Sequence, residues 1–132
     1  MIALDTNVVV RLLTNDDPSQ AAEAARLVAS GRVFLPLSVV LETEWVLRSV
    51  YGLERRAVAS ALRRLLGVSS VTAEAVDRVG QALDWYERGF DFADALHLAS
   101  AAQAGVERIA TFDGRFLRLT NAQSLGLTAF RP

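Results

Sequence analysis

Residues 2–7 read IALDTN: three apolar residues are followed at once by three polar ones. Ile2–Leu4 is suited to a short buried strand, and the apolar run Val8–Leu13 behind it favours either a helix or a further strand. Further candidate strands are Val33–Leu35, Glu107–Thr111 and Leu127–Phe130. The sequence therefore predicts several short strands, and polar side chains stand directly at the end of the first.

Helical segments separate these strands. Asp17 is suited to cap a helix that has Pro18 in its first position, Gln20 in its third and Gly31 after its end. Four further helices are predicted: from a cap at Ser38 to about Tyr51, from about Glu54 to Leu66, from about Ala73 to Glu87 after an extended link at Val71, and from a cap at Asp91 to about Ala104.

Short apolar strands that alternate with helices predict the fold class. The pattern is typical of an α/β fold with a central parallel β-sheet flanked by helices. The chain has 132 residues and no linker-like or repetitive segment, so we expect one domain over residues 1–132.

Composition excludes several kinds of chemistry. The chain has no cysteine and one histidine, His97, which excludes disulfide scaffolds, cysteine–zinc sites, thiol catalysis and a two-histidine ribonuclease mechanism. It has 14 basic and 15 acidic residues and a pI of about 5.8, whereas domains that bind nucleic acid by net charge usually have a pI above ~9. If the protein handles nucleic acid, it must use a local basic patch or bridging metal ions.

Nothing in the sequence indicates a membrane segment. The longest apolar run, Val33–Leu41, is interrupted by Pro36 and Ser38 and is far shorter than the ~20 residues of a spanning helix. No basic, signal-like segment precedes the first strand. We therefore expect a cytoplasmic protein.

Two aspartates follow strands of the predicted sheet. Asp5 comes directly after Ile2–Leu4, and Asp113 comes shortly after Glu107–Thr111. Both therefore belong to the edge of the sheet at which the strands' carboxyl ends lie and ligands bind. A turn at Asp113-Gly114 explains Asp113 as well as a function does. Asp5 lies between two apolar runs and is harder to explain by turn chemistry.

The two glutamates of the helix ending near Tyr51 differ in their neighbours. Glu44 has Arg48 four residues on, the favourable spacing for a surface ion pair. Glu42 has no basic residue one helical turn away in either direction, so it must be neutral, paired from elsewhere or bound to a cation. A half-exposed glutamate is an almost equally good explanation of Glu42 when this helix is considered alone.

Two aspartates lie at the start of the helix that is predicted to end at about Ala104. Asp91 at the N-cap and Asp94 three residues on both suit the positive end of a helix dipole, which accounts fully for Asp91. Asp94 would also lie at the mouth of the helix. His97, one turn further, is more simply a packing residue, so it is not assigned to the site.

The four carboxylates point to a metal site when they are taken together. Asp5, Glu42, Asp94 and Asp113 each stand at a strand end or on a helix able to face the same edge of the sheet. Ligands that are all oxygen favour Mg²⁺ or Mn²⁺ over zinc. Crowded carboxylates repel one another unless divalent ions offset their charge.

At these residues the sequence resembles the PIN-domain family, and more closely the VapC-type toxin ribonucleases of type II toxin–antitoxin systems. The matching segments occur in family order and span nearly the whole chain: Ile2–Asn7, Leu41–Leu47, Phe92–Ala99 and Thr111–Asp113. The resemblance implies that the catalytic residues and metal ligands are Asp5, Glu42, Asp94 and Asp113, and that the supporting polar positions are Asn7 and Thr111.

The resemblance implies a Mg²⁺- or Mn²⁺-dependent endoribonuclease, a hydrolase that cuts RNA phosphodiester bonds by metal-activated water. It also implies a homodimer that a small VapB-type antitoxin holds inactive. The preference for RNA comes from the resemblance alone, because a metal–water mechanism does not need the ribose 2′-hydroxyl. Two alternatives stay open: a DNA or flap-type nuclease or phosphatase on the same acidic site, and a catalytically silent PIN-like binding module.

Two surfaces are further expectations. Arginines 55, 56, 63 and 64 should form a stripe on one helix, which a solvated surface explains better than RNA binding does. The high hydrophobic content, 52%, suggests a patch buried between subunits. The helices Val39–Tyr51 and Glu54–Leu66 are the candidates, because Leu41, Trp45 and Leu62 make them apolar on more than one side.

Overall fold

The computed structural model describes residues 1–123 and 125–132, in which the chain forms five strands and seven helices. The strands are β1 (Ile2–Ala3), β2 (Val33–Leu35), β3 (Val71–Ala73), β4 (Arg108–Ala110) and β5 (Thr128–Phe130). The helices are α1 (Thr6–Thr14), α2 (Pro18–Ser30), α3 (Leu37–Ser49), α4 (Arg55–Leu66), α5 (Val76–Glu87), α6 (Phe92–Gln103) and α7 (Gly114–Ala122). They belong to two compact units, Met1–Val76 and Asp77–Pro132.

The first unit contains a three-stranded parallel sheet in the order β1-β2-β3. Val33 of the middle strand is paired with Ile2 on one side and Val71 on the other. Val33 and Leu35 are both buried, because β2 is bordered by a strand on each side. The prediction of an α/β fold with parallel strands is confirmed. The expectation of a buried first strand is wrong for Ile2 and Ala3, which are exposed in β1, an edge strand of this sheet, whereas Leu4 is buried.

Local signals place the first two helices. The run Val8–Leu13, which favoured either helix or strand, lies in α1. The α2 helix begins as predicted, with the Asp17 carboxylate accepting a hydrogen bond from the Gln20 N–H at 3.1 Å and with Pro18 in the first position. It ends before Gly31, also as predicted.

The α3 helix begins differently from the prediction. Its N-cap is Pro36 and no side chain caps it, so the prediction that Ser38 is the cap is wrong. The Pro36 carbonyl accepts hydrogen bonds from the Val39 and Val40 N–H groups, both at 3.1 Å. The helix therefore already includes Ser38 in its first turn.

The second unit pairs β4 with β5 in parallel and has an aromatic core. Tyr86, Phe90 and Phe92 are fully buried, and the rings of Tyr86 and Phe92 meet edge to face with centroids 5.4 Å apart. Phe116 of α7 meets Phe90 in the same way, at 6.2 Å. Edge-to-face pairs of this kind contribute about 1 kcal/mol each beyond their burial.

Two element boundaries differ from the predictions. The helix expected from about Ala73 begins at Val76, because β3 extends to Ala73 and Ala75 adopts a left-handed backbone with φ of 53°. The turn expected at Asp113-Gly114 is instead the start of α7, whose N-cap is Asp113. An Asp-Gly pair predicts a turn from local preference, whereas the burial of Phe116 stabilises a helix here.

The surfaces of α3 and α4 correspond only partly to the expectations. Arg56, Arg63 and Arg64 are exposed and Arg55 is half-buried. Trp45 is exposed, but Leu41 is only half-exposed and Leu62 is fully buried, so the expectation that Leu62 contributes to an apolar surface is wrong. No helix in the described part of the chain is long and apolar enough to span a bilayer.

Candidate active site

Asp5 and Glu42 lie together in the first unit. They line one open cleft of about 460 Å³, and Asn7 of α1 lines it with them. Asp5 is the N-cap of α1, and its Oδ1 accepts a hydrogen bond from the Thr6 N–H at 2.8 Å. The polar triplet after β1 is therefore the first turn of a helix, which directs these side chains to one place. Both acids are exposed, so they are accessible to a cation.

The two glutamates of α3 have opposite surroundings. Glu44 is only 2% exposed, and its Oε2 accepts a hydrogen bond from Arg48 Nε at 2.7 Å. The predicted ion pair is confirmed, but its placement on the surface is wrong. Glu44 lies on the buried side of α3: Val40, four residues before it, and Leu47, three residues after it, are buried as well. Glu42 is exposed and lines the cleft, and its role as a functional acid stays a prediction.

Asp94 and Asp113 lie together in the second unit. They line a small cavity of about 70 Å³, with Asp91 and Arg115 also in its wall. Asp113 caps α7: its Oδ1 accepts hydrogen bonds from the Arg115 N–H at 2.9 Å and the Phe116 N–H at 3.1 Å. The predicted cap at Asp91 is confirmed, because its Oδ2 accepts the Asp94 N–H at 3.2 Å. Asp94 thus lies in the first turn of α6 and Asp113 directly before α7, where the helix dipole favours negative charge.

Thr111, whose supporting role stays a prediction, makes a hydrogen bond just before Asp113. Its Oγ1 accepts a hydrogen bond from the Asp113 N–H at 3.0 Å. This bond fixes the short link between β4 and α7, and therefore the place at which the Asp113 carboxylate emerges.

Burial and like charge act together on Asp94. Partial burial raises the pKa of its carboxyl above the ordinary value of 3.8, and the nearby Asp91 and Asp113 raise it further. His97 lowers it by a smaller amount. His97 is exposed, so the interpretation of this residue as a packing histidine is wrong. A cation beside Asp94 would relieve the repulsion that raises the pKa.

The structure thus brings the four predicted acids together as two pairs, Asp5 with Glu42 and Asp94 with Asp113. Among residues 1–123 and 125–132, neither unit by itself contains a group of three or more His, Asp or Glu side chains that could hold a metal ion. The convergence of all four acids stays a prediction. Oxygen ligands, exposure and the repulsion felt by Asp94 fit a hard divalent cation.

Sequence reasoning missed one charged residue of the first cleft, Arg11. It lines the cleft with Asp5 and Glu42, and its Nε donates to Gln20 Oε1 at 2.9 Å. The sequence pattern accounts for Gln20 as the third residue of the α2 helix and gives no sign of its contact with Arg11. One signal was available: Arg11 stands four residues after Asn7, which places the two on one face of a helix.

Comparison with known proteins gives two similarities. The model of the PIN domain family matches residues 2–122, a range that includes all four acids. The chain is also similar to the crystal structure of VapC20 from Mycobacterium tuberculosis, described as a Sarcin-Ricin loop cleaving toxin. The two are 28% identical over 88% of this chain and 92% of that chain, with a TM-score of 0.44. No curated protein sequence matches the chain.

Proposed function

Because this chain belongs to the PIN domain family, we propose that it is an endoribonuclease that hydrolyses RNA phosphodiester bonds with the help of Mg²⁺ or Mn²⁺. The family match over residues 2–122 is the observation that carries the proposal. The proposed enzyme is one PIN-like ribonuclease domain over residues 1–132 that acts in the cytoplasm. Its catalytic residues and metal ligands are Asp5, Glu42, Asp94 and Asp113, with Asn7 and Thr111 in support.

The acids would hold the metal ions as charged oxygen ligands. A bound Mg²⁺ or Mn²⁺ activates water and stabilises the charge on the scissile phosphate and the leaving oxygen. Asp5 and Asp113 are each oriented by a helix N-terminus, so their carboxylates need little rearrangement to act as ligands. A bound cation would also offset the repulsion by Asp91 and Asp113 that raises the pKa of Asp94.

We propose in addition that the chain is the toxin of a VapBC-type pair. The support is the motif resemblance, in which four segments occur in family order. A small VapB-type antitoxin would then block the acids, and an arginine or lysine of that partner would satisfy the same negative charge as the metal. The enzyme itself would be a homodimer.

Cleavage of matched oligonucleotides tests the activity. We expect the protein with Mg²⁺ or Mn²⁺ to cut single-stranded RNA and to leave the DNA of the same sequence intact, with loss of cutting in a chelator. Asp94→Asn, as the matched variant, should not cut RNA at any metal concentration.

The alternatives predict different outcomes of the same assay. Equal cleavage of DNA would favour a DNA or flap-type nuclease, and release of inorganic phosphate from a monoester would favour a phosphatase. No turnover of any substrate, together with no metal binding, would indicate a silent binding module.

A further inference from the structure

Arg11 is a cation in a cleft whose other charged wall residues are acids. It lies on α1, one helical turn after Asn7, and it lines the cleft of Asp5 and Glu42. Its side chain is 31% exposed, so the guanidinium is partly sheltered but still reaches solvent. A positive charge is thus present beside two negative ones, on the same face of the first unit.

The guanidinium is held by groups from distant parts of the chain. Its Nε donates to Gln20 Oε1 at 2.9 Å, and its Nη1 donates to the Tyr51 hydroxyl at 3.2 Å. Nη1 also lies 3.7 Å from Asp16 Oδ2, and the Tyr51 hydroxyl donates to that same oxygen at 3.0 Å. Gln20 belongs to α2 and Tyr51 follows α3, so the side chain is fixed by two other elements of the unit.

These contacts use only two of the three nitrogens of the Arg11 guanidinium. Nε and Nη1 take part in them, and Nη2 takes part in none of them. A guanidinium that is already ordered loses less conformational entropy when it binds a ligand than a mobile one does. Asp16 offsets only part of its charge, because its side chain is 56% exposed and solvent screens the pair.

The net charge of the protein bears on what a cation in this cleft could bind. The net charge is −1, so the whole protein does not attract a polyanion. A cleft with two carboxylates repels phosphate even more strongly. A fixed guanidinium in that cleft supplies the attraction locally, and its geometry matches a phosphate.

We propose that Arg11 binds a phosphate of the RNA backbone next to the bond that is cut, so that the cleft has one place for metal ions and another for a neighbouring phosphate. This rests on the proposed function, because it assumes an RNA substrate at the acids. Gln20 and Tyr51 are positioning residues: they hold the guanidinium in the cleft without contacting the RNA.

Two other roles for Arg11 are conceivable, and they predict different measurements. If Arg11 only ties α1 to α2 and Tyr51, its replacement should lower thermal stability and leave RNA affinity unchanged. If Arg11 is only a counter-ion for Asp5 and Glu42, its replacement should strengthen metal binding and leave the salt dependence of RNA binding unchanged. A phosphate ligand predicts weaker RNA binding with a smaller salt dependence, whether or not metal binding becomes stronger.

The experiment compares Arg11→Met with Arg26→Met. Arg26 lies at an exposed position of α2 and does not line the cleft of Asp5 and Glu42, so its replacement removes the same charge outside the cleft. Binding of a fluorescent single-stranded RNA is measured by anisotropy as KCl is raised at fixed Mg²⁺, with Asp94→Asn in every protein to prevent cleavage. KM and kcat are measured without that substitution. Mn²⁺ affinity is measured by calorimetry, and folding by circular dichroism.

Arg11→Met should weaken RNA binding roughly tenfold at low salt, the loss expected for one charge-assisted hydrogen bond. The slope of log affinity against log salt should fall in magnitude by about 0.7, the value for one phosphate contact on a single strand. KM should rise more than kcat falls. If Arg11→Met does not fold, Arg11→Gln keeps a polar group near Tyr51 and should show the same change of slope.

Tyr51→Phe tests the positioning role. It keeps the charge of Arg11 and removes the hydroxyl that accepts from Nη1, so KM should rise severalfold while the salt slope stays unchanged. An unchanged KM would overturn the role of Tyr51.

The proposal is overturned if the Arg11 variants have the RNA affinity and salt slope of Arg26→Met; tighter Mn²⁺ binding together with that result would make Arg11 a counter-ion of the acids instead. These failures differ from a failure of the proposed function, in which the unsubstituted protein itself does not cut RNA.

Discussion

At the residue scale, Asp94 is the acid whose ionisation the fold opposes. Burial, Asp91 and Asp113 all raise its pKa, and His97 only partly offsets them. The folded protein therefore binds this proton more tightly than the unfolded chain does. As the pH rises above 3.8, the unfolded chain loses the proton first, so Asp94 lowers the free energy of unfolding. This penalty persists at neutral pH.

Asp94→Asn should remove that penalty. In a chelator at pH 7, the variant should melt at a temperature equal to or above that of the unsubstituted protein, and the difference should shrink as the pH falls towards 4. Mg²⁺ should raise the melting temperature of the unsubstituted protein only. Circular dichroism melts across pH check this, and a variant that melts well below the unsubstituted protein at pH 7 would contradict it.

Glu44 and Glu42 allow a second comparison at this scale. Arg48→Met removes one hydrogen-bond donor from the buried Glu44 carboxylate and should cost about 1–3 kcal/mol of unfolding free energy. Glu42→Gln changes an exposed side chain, so stability should be nearly unchanged while cleavage is lost. Urea unfolding and a cleavage assay separate the two effects. A stability loss in Glu42→Gln as large as that in Arg48→Met would contradict the assignment.

At the scale of elements, helix N-termini position the predicted ligands. Asp113 caps α7 with two hydrogen bonds, so Asp113→Ala removes a cap and a ligand together. Asparagine is as good a cap as aspartate. We expect Asp113→Ala to cost about 1 kcal/mol of stability relative to Asp113→Asn, and both variants to lose cleavage. Equal stability of the two would show that the cap contributes nothing in solution.

The arginines of α4 give a contrasting prediction at the same scale. Arg56 and Arg63 are exposed on a helix whose opposite face, with Val58 and Leu65, is buried. A solvated face explains this distribution. Replacing Arg56 and Arg63 together with alanine should therefore change the salt slope of RNA binding no more than Arg26→Met does. A slope smaller by more than ~0.7 would instead assign phosphate contacts to this helix.

At the scale of the whole molecule, the proposed function requires all four acids to share one metal site. Mn²⁺ is paramagnetic and broadens the NMR signals of nearby amides. Titration of the protein with Mn²⁺ should therefore broaden the amides around Asp5, Glu42, Asp94 and Asp113 at the same stoichiometry. Broadening confined to one pair of acids would contradict a shared site.

The proposed assembly has its own test at this scale. The exposed side chains of Trp45 and Val50 are apolar surface near the end of α3, where a second subunit could cover them. We expect light scattering to give a dimer at micromolar concentration, and Trp45→Arg to give a monomer. Inhibition by a cation-inserting partner should weaken as Mg²⁺ is raised, because both compete for the same carboxylates.

Local sequence patterns were enough to predict the α/β class, the parallel strands and most helix ends. Those features depend on local chemistry, such as the cap at Asp17 and the apolar run of β2. Local patterns also predicted which acids stand at strand ends or helix starts, because Asp5 and Asp94 occupy their places through neighbours only a few residues away. The family resemblance added the site assignment, which no local rule supplies.

Which side chains are buried, and which distant groups meet, depends on how the chain packs and could not be predicted from local patterns. The surface ion pair expected at Glu44 is buried because other elements cover that face of α3. Asp113 starts a helix because Phe116 packs against the buried ring of Phe90. Arg11 meets Tyr51, 40 residues away, because α1 packs near the end of α3. Burial and long-range contacts depend on which surfaces the folded chain brings together, and spacing along the sequence carries no record of that.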